Sequence, residues 1–350
     1  MIAMIAIGLA ALLACLIVTD WLAHWFRMQH WLAIPNDRSS HTIPVPSCGG
    51  LGIALIAGLG WAGLGFGFAQ NAATDSLLTS QSLLTSQSLL TSQSLIFALI
   101  TLVLISAYDD LYSLKARTRL VIQAAMITVC MPLLLQGRTM LGGWIPPPIE
   151  WALLWLVWTG FTNFFNFMDG ADGLSGLGGC FILVMVLILG SLVTGFEPWI
   201  EREWLILLFC AIVGFLGLNW PRATLFLGDA GAIPLGFLFG GLLIDIALSG
   251  YPAYALIIGL YPIADSLFTL ARRVAGRRNF WQAHREFCYQ RALARGWSHG
   301  QLMAWMLVID LGLGMLAWFA LDKPVLALLL AFLCVIVGMR VMITPVDRHA

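Results

Sequence analysis

The chain has 350 residues, of which 60% are hydrophobic and only 10% are charged, and its mean hydropathy is +0.89. Soluble proteins carry about 25% charged residues, so this composition excludes an ordinary water-soluble globule and indicates an integral membrane protein. Basic and acidic residues number 18 each, and the resulting net charge of zero argues against nucleic acid as a partner.

Long apolar segments follow one another almost from the first residue to the last. They predict an all-α polytopic membrane protein that forms a single domain, residues 1–350. A membrane-spanning helix needs about 20 mostly apolar residues, and the sequence offers eleven such segments, centred near residues 10, 60, 98, 127, 156, 184, 211, 240, 261, 311 and 334. The first lacks a basic leader, which favours a retained span over a cleaved signal peptide.

Basic residues are divided unevenly between the two ends of these spans. Fifteen of the 18 follow odd-numbered spans, and only Arg138, Arg202 and Lys323 follow even-numbered ones. Because loops rich in lysine and arginine stay in the cytoplasm, we expect the N-terminus outside and the C-terminus inside a cell inner (plasma) membrane. The most basic segment is the predicted cytoplasmic loop 272–301.

A low-complexity segment precedes the third span. The hexapeptide Ser-Leu-Leu-Thr-Ser-Gln occurs three times in tandem over residues 76–93. Successive copies on a helix are rotated by about 240°, so the leucine pairs define no single apolar face. We therefore predict an outer loop at residues 71–94, whose last copy begins the third span.

Unusual polar residues collect on the predicted cytoplasmic side. Five aspartates lie there at the ends of spans, at positions 109, 110, 169, 172 and 229. Carboxylates near membrane depth usually face one another, a cavity or a cation, and Mg²⁺ binds such oxygen ligands together with substrate phosphates. Adjacent glycines would let the backbone approach a bulky anion. The pattern favours a metal-assisted phosphate site, although Asp-Gly pairs by themselves are also typical of turns.

Three further features have two interpretations each. Seven arginines between residues 272 and 295 could anchor the protein on anionic lipid or hold a diphosphate. His284 is placed for an anion, but a lone histidine is more often structural. Asp265, inside the ninth span, is expected to form a helix-to-helix hydrogen bond or to take a metal or proton role.

Five ordered motifs between about residues 35 and 300 resemble the polyprenyl-phosphate N-acetylhexosamine-1-phosphate transferases of MraY/WecA type. The nearest branch is that of the O-antigen-initiating enzymes of WbpL type. The motifs are Pro-Asn-x-Arg-Ser-Ser-His (35–41), Asp-Asp-x-x-Ser-Leu (109–114), Asn-x-x-Asn-Phe-Met-Asp-Gly-x-Asp-Gly-Leu (163–174), Phe-x-Gly-Asp-x-Gly (226–231) and Phe-Trp-Gln-Ala-His-Arg (280–285), the last leading to Tyr289-Gln290-Arg291.

This resemblance implies an enzyme that moves an N-acetylhexosamine 1-phosphate, such as GlcNAc 1-phosphate, from a UDP-sugar to undecaprenyl or another polyprenyl phosphate and releases UMP. It implies Mg²⁺ as cofactor, with Mn²⁺ as a substitute, and an active site on the cytoplasmic face. The implied partners are UDP-N-acetylhexosamine, polyprenyl phosphate and membrane lipids, and a homodimer is left open.

The resemblance also implies roles for single residues. Asp109 and Asp110 would be catalytic, and Asp110 and Asp229 would bind the metal. A larger set would bind substrate: Arg38, His41, Asn163, Asn166, Asp169, Asp172, His284 and Arg285. Two mechanisms stay open, one in which an aspartate forms a covalent intermediate and one in which it deprotonates the lipid phosphate for direct attack.

Two positions depart from the pattern of this family. Phe287 stands where relatives usually carry a second histidine, and Ser47 stands where they usually carry an arginine. These departures keep an inactive scaffold relative open as an alternative. Another alternative is a multi-span transporter or lipid flippase, but transporter sites lie near the bilayer midplane between repeated halves, whereas the polar groups here collect on one face.

Overall fold

Thirteen α-helices make up the part of the chain that the structure describes. The structure is a computed structural model that describes residues 2–33, 44–75, 81–196, 198–278 and 284–344, with the backbone alone at 2–3, 64–75 and 81–92. The helices are α1 (Ile2–Met28), α2 (Gly49–Asp75), α3 (Gln81–Tyr112), α4 (Ala116–Leu135), α5 (Pro147–Asn166), α6 (Leu174–Leu192), α7 (Arg202–Asn219), α8 (Asp229–Leu248), α9 (Pro252–Ile258), α10 (Leu260–Ala275), α11 (Cys288–Ala294), α12 (His299–Phe319) and α13 (Pro324–Ile343).

All eleven predicted span centres fall within helices. Among the described residues, eight helices are long and apolar enough to cross a membrane, and the bent pair α9 and α10 raises the number to nine. The side chains of α2 (Gly49–Asp75) are described only as far as Gly63, and α5 carries the polar residues Glu150, Asn163 and Asn166. The all-α membrane fold is therefore confirmed, while the count of eleven spans and their orientation stay predictions.

The segment predicted as an outer loop, residues 71–94, is largely helical. α2 continues to Asp75 and α3 begins at Gln81, so the two helices take all of this segment except residues 76–80, which lie outside the described residues. Leucine and glutamine are good helix formers, and the repeat contains neither glycine nor proline. α3 thus begins at Gln81, before the last copy of the repeat that was predicted to begin it. Local helix propensity suffices here without a single apolar face, and the placement of this segment on the outer side stays a prediction.

α8 is the central helix of the bundle. Within its apolar window 94% of the residues are buried, and α2, α3, α5 and α9 pack against it. Small residues allow this close packing, as they commonly do between membrane helices. A Cβ on Gly236 would lie 2.7 Å from the carbonyl oxygen of Thr162 in α5, and the Trp158 indole N–H donates to the Phe237 carbonyl at 2.7 Å.

α2 and α8 begin side by side at one end of the bundle. The amides of Gly49 and Gly50 donate to the carbonyls of Phe226 and Leu227 at 2.9 and 2.8 Å. A Cβ on Gly231 would lie 2.7 Å from the Cα of Gly50, so the two backbones can approach in this way only because both residues are glycine. The segments before α2 and α8 are thereby joined.

The predicted ninth span is broken. α9 and α10 meet at Gly259 with a bend of 69°. The basic segment predicted as a loop, residues 272–301, contains the end of α10, the whole of α11 and the start of α12. α11 packs against α12 and α13, which places this short helix at the end of the bundle.

The close approach of α2 and α8 generates a stability prediction. Gly50→Ala would place a methyl group against the backbone of Gly231, and overpacking of this kind costs about 1–3 kcal/mol. Gly58→Ala is the matched control, because it lies in the same helix and no atom is within 4 Å of its added Cβ. We expect thermal unfolding in detergent to show a lower midpoint for Gly50→Ala alone. Equal midpoints for the two variants would contradict the close approach.

Candidate active site

Four aspartates from three segments converge where α8 begins, and we call them the acidic cluster. They are Asp109, Asp110, Asp169 and Asp229. The amides of Asp229 and Ala230 donate to the two carboxylate oxygens of Asp110, each at 3.1 Å. The amide of Gly228 donates to Asp169 Oδ2 at 3.2 Å. The end of α3, the connection between α5 and α6, and the start of α8 therefore meet at one point.

The first amide groups of α8 are satisfied by side chains of the acidic cluster. The N-terminus of a helix has free N–H groups and a partial positive charge, and it commonly binds an anion. Here the anion is the carboxylate of Asp110, which holds α3 against α8. The site is thus built on a helix cap that also fixes the bundle.

Gly228 is required by this geometry. Its φ of +76° lies in the left-handed region, which favours glycine. A Cβ at this position would also lie 2.8 Å from Asp110 Oδ2. The Gly-Asp pair at 228–229 therefore lets the carboxylate of Asp110 reach the start of α8.

Arg119, in the first turns of α4, bridges two members of the acidic cluster. Its Nη1 lies 2.6 Å from Asp109 Oδ2 and also contacts Asp229 Oδ2. The other oxygen of Asp109 accepts a hydrogen bond from the amide of Leu114. In the sequence Arg119 is only one of the basic residues predicted on the cytoplasmic side, and its spacing of ten residues from Asp109 is the one signal that links it to the site.

Solvent exposure separates the predicted aspartates into two groups. Asp109 and Asp172 are buried, with exposed fractions of 7% and 8%. Asp110 is exposed, and Asp169 and Asp229 are partly exposed. The buried pair can orient its neighbours, whereas the other three can also contact a ligand.

Negative charge exceeds positive charge in the acidic cluster. Burial raises the pKa of Asp169 well above its usual range, and the carboxylates of Asp229 and Asp110 raise it further, against the hydrogen bond from the Gly228 amide. Within the part of the chain that the structure describes, Arg119 is the cation that bridges two of the four carboxylates. An additional cation would relieve the remaining repulsion.

The donor set of the acidic cluster suits Mg²⁺. Among the described residues no three His, Cys, Asp or Glu side chains are already arranged around a common metal position. Mg²⁺, however, usually takes only one or two protein carboxylates and completes its shell with water and phosphate oxygens. Asp110 and Asp229 are adjacent, accessible and hard oxygen donors, so they are the residues that fit such an ion.

The motif at 163–174 divides between the acidic cluster and the surrounding helices. The side chain of Asn166 hydrogen-bonds Asp229, so Asn166 and Asp169 both face α8. Asn163 instead donates to Gln123 Oε1 and to the Thr159 carbonyl, both at 2.9 Å. Its amide group therefore connects α5 to α4 rather than facing the acidic cluster.

Asp172 makes a separate set of contacts, away from the acidic cluster. Its Oδ2 accepts from the Ala223 amide at 3.1 Å and lies 3.3 Å from His299 Nδ1 at the start of α12. The Asp172 amide donates to the same histidine nitrogen at 3.0 Å. These contacts join the motif to the loop after α7 and to α12. Sequence analysis did not single out His299, which belongs to none of the five motifs.

His284 approaches the motif through Phe287. The ring of Phe287 lies 4.9 Å from the ring of His284 and 5.4 Å from that of Phe167. Burial lowers the pKa of His284, and the nearby Arg273 lowers it further. Arg285 is exposed. The other two predicted substrate-binding residues, Arg38 and His41, lie outside the described residues.

Glu286 gathers three arginines of the basic segment. Arg272 and Arg278 lie 3.0 and 3.1 Å from its carboxylate, and Arg273 also contacts it. Burial by itself would raise the pKa of Glu286, but the three arginines outweigh this effect and lower it. Three of the seven arginines therefore share contacts with one carboxylate inside the protein.

Comparison with known proteins agrees with this geometry. The family model of Glycosyl transferase family 4 matches residues 92–247, which include the whole acidic cluster. A probable undecaprenyl-phosphate N-acetylglucosaminyl 1-phosphate transferase of Bacillus subtilis (strain 168) is 24% identical over 283 residues, covering 76% of this chain and 70% of the relative. Both matches support the resemblance to the MraY/WecA-type family that the motifs indicate. Within this transferase family, placement in the O-antigen-initiating branch stays a prediction.

Arg119→Gln tests the charge balance of this transferase site. It removes the cation that bridges Asp109 and Asp229. Because the Arg119 side chain is 30% exposed, we expect the free energy of unfolding to fall by about 1–3 kcal/mol, less than the cost of breaking a fully buried ion pair. Added Mg²⁺ should restore more stability to this variant than to the wild type.

Arg117→Gln is the control for that experiment, because Arg117 is exposed on the same helix and the substitution changes the charge equally. Thermal unfolding with and without Mg²⁺ measures both variants. If the two variants respond alike, the bridging position of Arg119 has no special effect.

Proposed function

We propose that this chain transfers an N-acetylhexosamine 1-phosphate from a UDP-sugar to a polyprenyl phosphate, releases UMP and requires Mg²⁺. The observation that carries the proposal is the convergence of the acidic cluster at the start of α8, at one end of a membrane bundle. Family membership supports a phospho-sugar transferase. GlcNAc 1-phosphate and undecaprenyl phosphate are the first substrates to test, because both appear in the name of the Bacillus relative.

The location of the acidic cluster suits one water-soluble and one lipid substrate. Asp109 and Asp110 lie in the last turn of α3, Asp169 follows α5, and Asp229 opens α8. Residues at the ends of membrane helices lie near the headgroup region, where a lipid phosphate and a soluble nucleotide can meet. We place this end on the cytoplasmic side of the inner membrane, in agreement with the basic residues, and propose that the product initiates an O-antigen-like cell-envelope polysaccharide.

Phosphoryl transfer depends mainly on positioning and on neutralisation of phosphate charge. Asp110 and Asp229 would hold Mg²⁺, which neutralises the diphosphate and polarises its oxygens when bound. The α8 amides fix the orientation of Asp110, and Asn166 and Arg119 fix that of Asp229. Asp109, buried against Arg119, holds this guanidinium beside the site, where its partly exposed face can meet a phosphate oxygen.

The bonds of the proposed reaction balance without an external energy source. An oxygen of the lipid phosphate forms a bond to the sugar-bearing phosphorus, and the bond from that phosphorus to the oxygen of UMP breaks. One phosphoanhydride is lost and another is formed. We therefore propose a nearly reversible reaction that needs no ATP.

The direct test measures UMP release from UDP-GlcNAc and undecaprenyl phosphate by the purified protein with Mg²⁺. Asp110→Asn and Asp229→Asn remove a charge from the proposed metal site, and we expect each to lower the rate by about 10²-fold or more, the usual size of such electrostatic losses. EDTA should abolish transfer, and added Mg²⁺ should restore it.

Asp322→Asn is the matched control, because Asp322 has a 78% exposed side chain between α12 and α13. Its rate should equal that of the wild type. Full activity of Asp110→Asn or Asp229→Asn would contradict the site. A panel of UDP-sugars would then identify the sugar, and absence of UMP release with every one of them would favour a transporter, a flippase or an inactive scaffold.

Phe287→His tests whether the departure from the family pattern limits activity. Phe287 is 5% exposed and stacks on Tyr289 and Phe167. A polar imidazole there would lose apolar contacts, at a cost of about 1–3 kcal/mol. We expect a lower unfolding midpoint and a transfer rate no higher than that of the wild type. A higher rate would show instead that the missing histidine is functional.

A further inference from the structure

Asp265 is fully buried in α10 and accepts hydrogen bonds from three donors. The Cys288 amide donates to Oδ1 at 2.8 Å. The hydroxyls of Thr269 and Tyr261 donate to its two oxygens at 3.3 and 3.1 Å. Of the roles that the sequence left open for Asp265, these contacts match the hydrogen bond between helices.

The Cys288 amide belongs to the first residue of α11, so Asp265 caps that helix from a neighbouring element. α11 has only seven residues. A helix of this length is not stable by itself in water, and its position therefore depends on tertiary contacts. Asp265 supplies a contact that fixes the beginning of α11 to α10.

Tyr289, the second residue of α11, contacts the connection between α5 and α6, which we call the α5–α6 turn (residues 167–173). Tyr289 is fully buried, and its hydroxyl donates to the Phe167 carbonyl at 2.7 Å. It also accepts a hydrogen bond from the Gly170 backbone. A Cβ on Gly170 would collide with the same hydroxyl. The tyrosine therefore holds two separate points of the turn.

Those two points, Phe167 and Gly170, flank Asp169, and Asn166 directly precedes the first of them. The Asp169 amide donates to the Asn166 carbonyl at 3.1 Å, which closes the turn between Phe167 and Gly170. Asn166 and Asp169 in turn contact Asp229 and Gly228. A continuous series of contacts therefore runs from Asp265 through α11 to the acidic cluster.

We propose that Asp265 and Tyr289 are positioning residues that hold the α5–α6 turn in the geometry that binds the UDP-sugar. The inference rests on the proposed function, in which Asn166 and Asp169 contact that substrate. Neither Asp265 nor Tyr289 touches the acidic cluster, so both act through the turn.

The proposal predicts a particular kinetic signature. When the turn is released, only a fraction of the molecules has the binding geometry, and apparent affinity falls by that fraction. Substrate that does bind selects the competent geometry, so kcat is preserved. A purely structural role would lower the amount of active enzyme and thus the apparent kcat, with KM unchanged.

Tyr289→Phe removes one hydroxyl and leaves the Phe167 carbonyl without its partner. In lipid nanodiscs, with UDP-GlcNAc and undecaprenyl phosphate, we expect KM for the UDP-sugar to rise about tenfold, which corresponds to about 1.4 kcal/mol. The kcat value should change less than twofold. Asp265→Ala should behave in the same way.

Two variants serve as controls. Asp265→Asn keeps a carbonyl oxygen for the Cys288 amide, so KM should stay within about twofold of the wild type. Asp310→Asn changes another buried aspartate, in α12, that contributes to none of these contacts, and it should leave KM unchanged.

Hydrogen exchange of the substrate-free protein provides a readout that does not need activity. Residues 163–173 should exchange faster in Tyr289→Phe and Asp265→Ala than in the wild type. Unchanged exchange there, or a lower kcat with an unchanged KM, would overturn the proposal. If the wild type transfers no sugar phosphate, the proposed function fails, and the exchange rates still decide whether Asp265 and Tyr289 hold the turn.

Discussion

The cap that Asp110 forms on α8 is the interaction on which both the fold and the site depend. α8 is the most enclosed of the membrane helices, and its first amides point to the end of the bundle where α3 ends. Backbone donors without partners are costly in or near a bilayer. The chain satisfies them with a carboxylate from α3 and, one residue earlier, with Asp169. Closing the bundle therefore brings acidic side chains together, and the site follows from the requirement for hydrogen bonds.

The four carboxylates of the acidic cluster repel one another, and the described part of the protein offsets this repulsion only in part. Arg119 bridges two of the carboxylates but balances only one of their two negative charges, and one of them, Asp109, is buried and holds the guanidinium. Asp110, an exposed residue, is not part of this pair, and its two carboxylate oxygens accept from the α8 amides. Asp109 thus orients the Arg119 guanidinium, and its sequence neighbour Asp110 is the one left to contact a ligand. A divalent cation bound with a diphosphate would balance the remaining charge with little rearrangement of the protein.

Sequence patterns predicted the helices well because each apolar run is about as long as one membrane span requires. The break at Gly259 escaped prediction, since hydropathy averaged over a window does not register a bend between two apolar helices. The start of α3 before the last copy of the repeat escaped because amphipathic periodicity was given more weight than propensity. In the site, short motifs placed Asp110, Asp169 and Asp229 correctly at one end. Arg119 and His299 were missed because only folding brings an isolated polar residue to a distant motif.

The basic segment shows how one group of charges can serve both fold and function. Glu286 contacts Arg272, Arg273 and Arg278, so these side chains stabilise the connection between α10 and α11, but its single negative charge leaves the group positive. Arg285 is exposed beside His284, and Arg119 keeps a partly exposed guanidinium at the acidic cluster. Arg285 and Arg119 are thus two positive charges that an anionic substrate could reach. Because α11 is fixed to the α5–α6 turn by Tyr289, the position of Arg285 near the beginning of α11 is coupled to the geometry of the turn itself.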